Sequence, residues 1–337
     1  MLTRLGVLDQ SHINEGGTAV QALSDTTRLA QEADRLGYHR YWVSEHHSSR
    51  SLAHSSPEVL IAHLASHTSR IRVGSGGIML PHYSAYKVAE NFRLLEALYP
   101  GRIDLGIGRA PGGRPLSTRA LQEGRYHHGD TYPQQVVDLI AYLNDAVPAD
   151  HRFPGILAAP SVPTAPELWL LGSSGGTAGL AAEVGASYAF AQFFGTAGGA
   201  ESIHMYRERF VPSLMEEGPR ALAAVMVICA ETEEEALDLS SSVSLYFYAL
   251  ETGMELAYLP SVETAKNYPY TPYDLSRIEA ARQRRVIGTP DQVKAKLEKL
   301  AEEYQTEELL LVSPIYDLEA RLRSYQLVAE AFGLQKA

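Results

Sequence analysis

Residues 102–109, with the sequence RIDLGIGR, decide the fold and mark a candidate site. The aliphatic and glycine residues between Ile103 and Gly108 predict a short buried strand. Arg109 then stands at the carboxyl end of that strand, and the next residues, APGG, predict a loop. A guanidinium stays charged and presents a planar fork of donors, so Arg109 is a candidate receptor for a phosphate. A structural ion pair is the other role open to a single arginine.

Short apolar segments like 103–108 recur along the chain, with helical patterns between them. They lie at 5–10, 38–44, 70–80, 103–108, 167–172, 186–194, 221–230 and 307–315. This spacing favours parallel βα units. About eight of them in 337 residues suit a single α/β domain over 1–337, a (β/α)₈ TIM barrel. A doubly wound open sheet has the same local pattern and stays open as the alternative.

Helix boundaries support this reading. Apolar stripes predict helices over 25–36 and 86–98. Gly37 and Gly101 are expected to close them, and Thr289 followed by a proline predicts the start of a later helix. The regular pattern breaks between residues 231 and 285, which predicts an insertion after strand seven. Such a segment covers an active site, makes a dimer contact or forms a surface excursion.

Composition limits the classes of function. The net charge of −11 argues against nucleic-acid and membrane-surface partners, which need concentrated Lys and Arg. The single cysteine, Cys229, lies in an apolar run and is expected to be a core residue in a reducing compartment. No apolar run approaches the roughly 20 residues of a membrane helix, and no signal peptide is evident. We therefore expect a cytoplasmic globular protein.

A second glycine-rich segment could also bind a phosphate. Residues 167–177 read ELWLLGSSGGT, an apolar strand that breaks into small residues just before a helix. Such a turn offers backbone N–H groups and the positive end of the helix to an anion. It matches neither a Walker loop nor the dinucleotide fingerprint. A helix N-cap with flexible glycines is the alternative.

Two more segments carry possible chemistry. Glu45, His46 and His47 end the second strand, where an imidazole can transfer protons or bind a metal. The metal is less favoured, because neighbouring residues on an extended chain point to opposite sides. Residues 74–77, GSGG, interrupt the third strand and predict a bulge or a close approach by another group such as a flat ligand. In a parallel barrel all four segments meet at the carboxyl face.

Together these motifs carry a family resemblance. Residues 45–47 (EHH), 74–81 (GSGGIMLP), 101–111 (GRIDLGIGRAP) and 172–177 (GSSGGT) resemble the bacterial luciferase-like flavin monooxygenases, most closely the single-chain luciferase-like oxidoreductases. The resemblance runs in order to about residue 195. It implies a (β/α)₈ barrel that uses reduced FMN and O₂ to oxygenate a small organic substrate, such as an aldehyde, through a C4a-peroxyflavin. It also implies a separate flavin reductase and a homodimer.

The same resemblance implies roles for individual residues. Gly76 and Gly77 match a non-prolyl cis peptide beneath the isoalloxazine ring. His46 matches a histidine at the reactive edge of the flavin, with Glu45 beside it. The remaining residues match the FMN phosphate site, through side chains or backbone amides: Arg109, Ser173, Ser174, Gly175, Gly176 and Thr177.

The sequence also departs from the luciferase α chain. Gly108 replaces a reactive cysteine and Ser173 replaces an acidic residue, so light emission is not expected. Three other functions stay open: hydride transfer with the deazaflavin F420, flavin binding without turnover, and a metal hydrolase that uses His46 and His47.

Overall fold

The computed structural model describes residues 2–123, 130–195 and 197–335. Nine parallel strands run through this part of the chain. They are β1 (Arg4–Asp9), β2 (Arg40–Val43), β3 (Arg72–Met79), β4 (Ile103–Gly108), β5 (Glu167–Gly172), β6 (Ser187–Ala191), β7 (Ala221–Cys229), β8 (Val286–Gly288) and β9 (Glu308–Val312).

Eight of these strands form a closed barrel. Strands β1 to β7 pair in order, β7 pairs with β9, and β9 returns to β1. The prediction of a TIM barrel is confirmed, and the open sheet is excluded because β6 pairs with β7 and closes the ring. The short strand β8 lies outside the ring on the second half of β7, with Val227 opposite Val286. The sequence analysis missed β8, since three residues are too few to show a period.

Twelve α-helices surround the barrel in the described part of the chain. They are α1 (Ala19–Leu36), α2 (Pro57–Ser66), α3 (Ala85–Leu98), α4 (Pro115–Leu121), α5 (Tyr132–Leu143), α6 (Gly175–Val184), α7 (Gly199–Arg209), α8 (Glu233–Glu251), α9 (Val262–Lys266), α10 (Pro272–Arg282), α11 (Pro290–Glu303) and α12 (Leu318–Phe332). Single 3₁₀ turns follow β3 (Leu80–His82) and β6 (Gln192–Phe194). No described helix is long and apolar enough to cross a membrane.

Two of the three predicted helix ends are confirmed. Gly37 closes α1 in the left-handed conformation, with φ 85°, and Thr289 begins α11 with a capping box. The prediction for Gly101 was wrong in position. Tyr99 caps α3, and Gly101 takes its positive φ of 73° two residues later, in the turn that leads to β4.

Residues 231–285 contain three helices, α8 to α10. Helix α8 is fixed to the loop after β2, because the Tyr246 hydroxyl lies 2.8 Å from Ser51 Oγ. The Tyr246 ring also packs edge-on against His12, with 5.1 Å between centroids. These contacts place α8 at the carboxyl end of the barrel.

The main apolar core lies between the strands and the helices. Cys229 belongs to it, as expected: the residue is 1% exposed, and burial raises the pKa of its thiol to about 12. The interior of the barrel holds a smaller cluster that includes Trp42 and Trp169.

The amino-terminal end of the barrel is closed by buried ion pairs. Arg40, at the first position of β2, donates to Asp104 at 2.5 Å and also to Glu308. Arg72 binds the other oxygen of Asp104 at 2.7 Å, and Arg220 binds Glu167 at 2.7 Å. These side chains fill the amino-terminal end of the barrel interior.

Candidate active site

A cavity of about 410 Å³ lies at the carboxyl ends of the barrel strands. Its lining includes nine of the ten residues that the sequence analysis selected: Glu45, His46, Gly76, Gly77, Arg109, Ser173, Ser174, Gly176 and Thr177. The tenth, Gly175, begins α6 directly beside them. The four segments, none of which identifies a site by itself, thus meet in one pocket.

The turn from β5 into α6 forms one end of this cavity. Ser174 is the N-cap residue of α6, with extended backbone, and its side chain makes no capping hydrogen bond. The first turn of α6 also carries no acidic residue. Since the first N–H groups of a helix have no partner inside the helix, these amides are free to bind an anion.

Gly172 allows Thr177 to fold back over the end of β5. A Cβ atom at Gly172 would lie 2.5 Å from Thr177 Oγ1 and 2.7 Å from Thr177 Cβ. Any larger residue would push the threonine hydroxyl away from the turn. A glycine is therefore needed at position 172 because Thr177 packs closely against it, and not only because glycine gives the backbone more freedom.

Arg109 lies in the loop after β4 and lines the same cavity. Its Nη2 atom is 2.7 Å from Asp130 Oδ2, and the two side chains are 63% and 46% exposed. Both roles considered for this arginine are therefore present, an ion pair and a position at the pocket. Because exposed ion pairs contribute little to stability, an incoming anion could replace Asp130 at low cost.

The floor of the cavity is the bulge in β3. The peptide between Gly76 and Gly77 is cis, and the register with β4 shifts between Ser75 and Ile78, which confirms the predicted bulge. A Cβ atom at Gly76 would lie 2.8 Å from Leu8 Cδ1, and one at Gly77 would lie 2.7 Å from the Gly106 carbonyl oxygen. The floor is therefore bare backbone that side chains could not cover.

Glu45 lines the cavity, but its carboxylate is fully engaged by the protein. Oε1 lies 2.6 Å from His47 Nε2 and accepts a hydrogen bond from the Tyr83 hydroxyl at 2.8 Å. Oε2 accepts from the backbone N–H of Met79 at 3.0 Å. Glu45 thus ties the end of β2 to the end of β3, a geometry suited to positioning.

His46 presents an imidazole to the cavity. Its Nδ1 is 3.1 Å from Ser44 Oγ, while Nε2 has no hydrogen-bond partner in the described part of the protein. Burial, together with the neighbouring His54 and His47, lowers the pKa of His46 to about 4. The ring is therefore neutral near pH 7 and can donate or accept a proton. Its neighbour His47 is instead paired with Glu45 through Nε2.

The apolar walls of the cavity were not identified from the sequence. They are Leu8, Trp42, Met79, Leu171, Phe190, Phe193, Phe194, Leu222 and Leu310. Most of these residues read as ordinary core. A usable signal was the period of two along barrel strands, since Leu222 and Ala224 of β7 line the cavity and Ala223 between them does not. Among the described residues, no group of His, Cys, Asp and Glu could hold a metal ion.

A sequence model of one family, described as luciferase-like monooxygenase, matches residues 3–307. The chain belongs to this family. The uncharacterized protein YwcH of Bacillus subtilis (strain 168) is 52% identical over 98% of this chain and 100% of its own length. The N-acetyl-S-alkylcysteine monooxygenase of the same organism is 38% identical over 98% of both chains.

Solved structures of similar proteins agree with the barrel of this luciferase-like monooxygenase. The crystal structure of apo-MsnO8 has a TM-score of 0.90 and 39% identity, covering 100% of this chain and 99% of that one. An FMN complex, the oxygenating constituent of 3,6-diketocamphane monooxygenase from Pseudomonas putida, shares the fold at TM-score 0.69 and 19% identity, over 99% of both chains. An F420-dependent secondary alcohol dehydrogenase also shares it, at TM-score 0.72 and 12% identity, over 100% of both chains.

Proposed function

We propose that this enzyme uses reduced FMN and O₂ to insert one oxygen atom into a small organic substrate. One observation carries the proposal: a single cavity is lined by an uncapped helix end and an arginine, and also by a bare glycine floor and a neutral histidine. A separate flavin reductase would supply the reduced FMN, and the enzyme would act as a homodimer in the cytoplasm.

The phosphate of FMN fits the turn between β5 and α6. The hydroxyls of Ser174 and Thr177 and the amides of residues 173, 175 and 176 would surround it, and Arg109 of the same cavity would add its guanidinium. An uncapped helix end without acidic residues favours a doubly charged group, and a guanidinium adds charge-assisted hydrogen bonds. The 410 Å³ of the cavity is within the range of about 300–1,000 Å³ typical of cofactor and ligand pockets.

The flavin ring fits the floor at Gly76 and Gly77, where no side chain stands in its way. When bound, reduced FMN supplies the two electrons that activate O₂. His46 would hold or release a proton at Nε2, since that atom is free and the ring is neutral near pH 7. Glu45 would hold the loop that carries His46 in a fixed position relative to the glycine floor. The apolar walls would exclude water from the cavity.

The apolar walls of the cavity bear on the class of the substrate. An aldehyde or another hydrophobic carbonyl compound suits the apolar walls. A thioether is the second candidate, because the relative at 38% identity is named for the oxygenation of N-acetyl-S-alkylcysteine. Hydride transfer with F420 is the alternative chemistry, and flavin binding without turnover is the alternative class.

An anaerobic titration separates these possibilities. The protein is titrated with reduced FMN or reduced F420, then mixed with ¹⁸O₂ and a panel of aldehydes and thioethers. We expect reduced FMN to bind and one ¹⁸O atom to appear in a product, with His46→Ala slowing product formation. Binding of F420 alone, or FMN binding with hydrogen peroxide as the sole product, would contradict the proposal.

A further inference from the structure

A second chamber of about 250 Å³ adjoins the first at His46. Both are lined by Gln10, His46, Gly112 and Phe194. A molecule in the second chamber would thus contact His46, which also lines the first cavity. The volume is below the usual range for drug-sized ligands, about 300–1,000 Å³, so it suits a small molecule.

One wall of this second chamber is apolar and comes from α8 and the loop after it. Its residues are Phe247, Leu250, Met254 and Leu256, with Phe194 from the 3₁₀ turn after β6. Leu250 is 57% exposed and Phe194 is 58% exposed. Large apolar side chains around a concave, exposed site favour an apolar ligand.

The back of the chamber is held in place by polar contacts. Ser51 and Tyr246 line it and join the loop after β2 to α8 through their hydroxyls, 2.8 Å apart. The Tyr246 ring also rests against His12. The chamber is therefore formed by the folded chain before any ligand arrives.

The charges of this chamber are unbalanced. Arg50, Arg114 and Glu255 are its Arg and Glu residues. Arg114 Nη2 lies 3.2 Å from Glu255 Oε2, so these two form a pair. Arg50 is exposed and has no hydrogen-bond or ion-pair partner in the described part of the chain. A free cation stands here although the whole chain carries a net charge of −11.

We propose that this chamber binds the substrate, that the substrate is a small apolar molecule ending in a carboxylate, and that Arg50 holds that carboxylate. The assignment rests on the proposed function, because only oxygenation beside His46 makes the occupant a substrate. The apolar body of the molecule contacts Phe194 and Leu250, and its other end reaches toward His46 and the first cavity. A guanidinium suits this role because its fork of donors matches the two oxygens of a carboxylate.

The test uses two probes that differ only in charge, N-acetylmethionine and N-acetylmethioninamide. Ligand-observed NMR titrations give the dissociation constants with the wild type, Arg50→Gln and Arg50→Lys. We expect the wild type to bind the acid about fivefold more tightly than the amide, the size of a partly exposed ion pair. Arg50→Gln should abolish this preference and leave amide binding unchanged, while Arg50→Lys should keep part of it.

Arg209→Gln is the matched control, since Arg209 is an exposed arginine at the end of α7 and outside the chamber; it should keep the full preference. Equal binding of acid and amide by the wild type, or no binding of either probe, would overturn the proposal. Loss of both probes in a folded Arg50→Gln variant would also overturn it. The titrations contain no flavin, so failure of the FMN experiment would leave this result standing, and the reverse also holds.

Discussion

The two ends of the barrel use charged residues in opposite ways. At the amino-terminal end, Arg40 and Asp104 are 0% exposed and bind each other. At the carboxyl end, Arg109 is 63% exposed, and the first amides of α6 have no side-chain partner. One end satisfies its charges internally, and the other keeps donors available for a ligand. The amino-terminal ends of the barrel strands thus contribute to the stability of the fold, and the carboxyl ends of the same strands provide the groups that bind a ligand.

The ion pairs at the amino-terminal end of the barrel also change the pKa of a carboxyl group, that of Glu167. Burial alone would raise the pKa of Glu167, but Arg40, Arg72 and Arg220 outweigh it and lower that pKa to about 2. The guanidinium of Arg40 also lies over the Trp169 ring, 4.8 Å from its centroid. These groups form one network. Removal of one member should therefore leave the other charged side chains buried without a partner.

The largest expected effect comes from breaking the closed end. Arg40→Ala leaves Asp104 and Glu308 buried without their main cation and should destabilise the fold by about 3–5 kcal/mol. Urea unfolding at pH 7 measures this change. The control is Arg28→Ala, because Arg28 and Glu319 form a pair with side chains 54% and 68% exposed. Its cost should be several times smaller than that of Arg40→Ala, and equal losses in the two variants would contradict the comparison.

A smaller effect is expected from filling the floor of the open end. Gly77→Ala places a Cβ atom 2.7 Å from the Gly106 carbonyl oxygen, and such overpacking should cost about 2 kcal/mol. Gly176→Ala is the matched control, since its Cβ would be 4.0 Å from the nearest atom, Ser174 Oγ. Thermal unfolding compares the two. If Gly77→Ala were as stable as Gly176→Ala, the floor would be less tightly packed than described.

The next effect is a change in the affinity of the protein for FMN. Arg109→Gln should weaken FMN binding about tenfold, the size of one charge-assisted hydrogen-bonded contact, and should change the free energy of unfolding by less than about 1 kcal/mol. Flavin fluorescence titration measures the first quantity and urea unfolding the second. Arg119→Gln, an exposed site on α4 outside the cavity, should bind FMN like the wild type. Unchanged FMN affinity in Arg109→Gln would remove this arginine from the phosphate site.

The smallest effect is a pH dependence at the open end. The folded protein lowers the pKa of His46 from 6.5 to about 4, chiefly by burial. Between these two values the unfolded chain binds a proton that the folded chain does not, so this group makes stability fall as pH falls through that window. His46→Gln should reduce the decrease in unfolding free energy between pH 7 and pH 4 by about 1 kcal/mol, after allowance for partial exposure.

Urea unfolding of both proteins across this pH range provides the check, and the curves above pH 7 serve as the internal reference. Parallel curves for the wild type and His46→Gln would show that His46 is solvated in the folded state. That result would contradict the proposal that His46 presents a neutral imidazole to the cavity.

The eight barrel strands could be predicted because each is an apolar run bounded by turn residues. The carboxyl ends of parallel strands converge, so the sequence alone predicts that Arg109 and the turn at Ser174 share a pocket. Strand β8 could not be found, since it exists only through its pairing with β7. The wall formed by α8 was equally hidden, because its position depends on tertiary contacts such as Tyr246 with Ser51.

The roles of single charged residues were also beyond the sequence. Nothing in residues 45–47 shows that Glu45 is held by Tyr83 and Met79. Nothing in the loop around Arg50 shows that this arginine is unpaired while Arg114 has Glu255. Pairing is decided by distance in space, and a single sequence carries no record of it.

A structure of the protein crystallised with FMN tests the central claim most directly. We predict that the phosphate lies within about 3 Å of Arg109, the Ser174 and Thr177 hydroxyls and the first amides of α6, with the flavin ring over Gly76 and Gly77. A phosphate bound elsewhere, with Arg109 still paired to Asp130, would contradict the account.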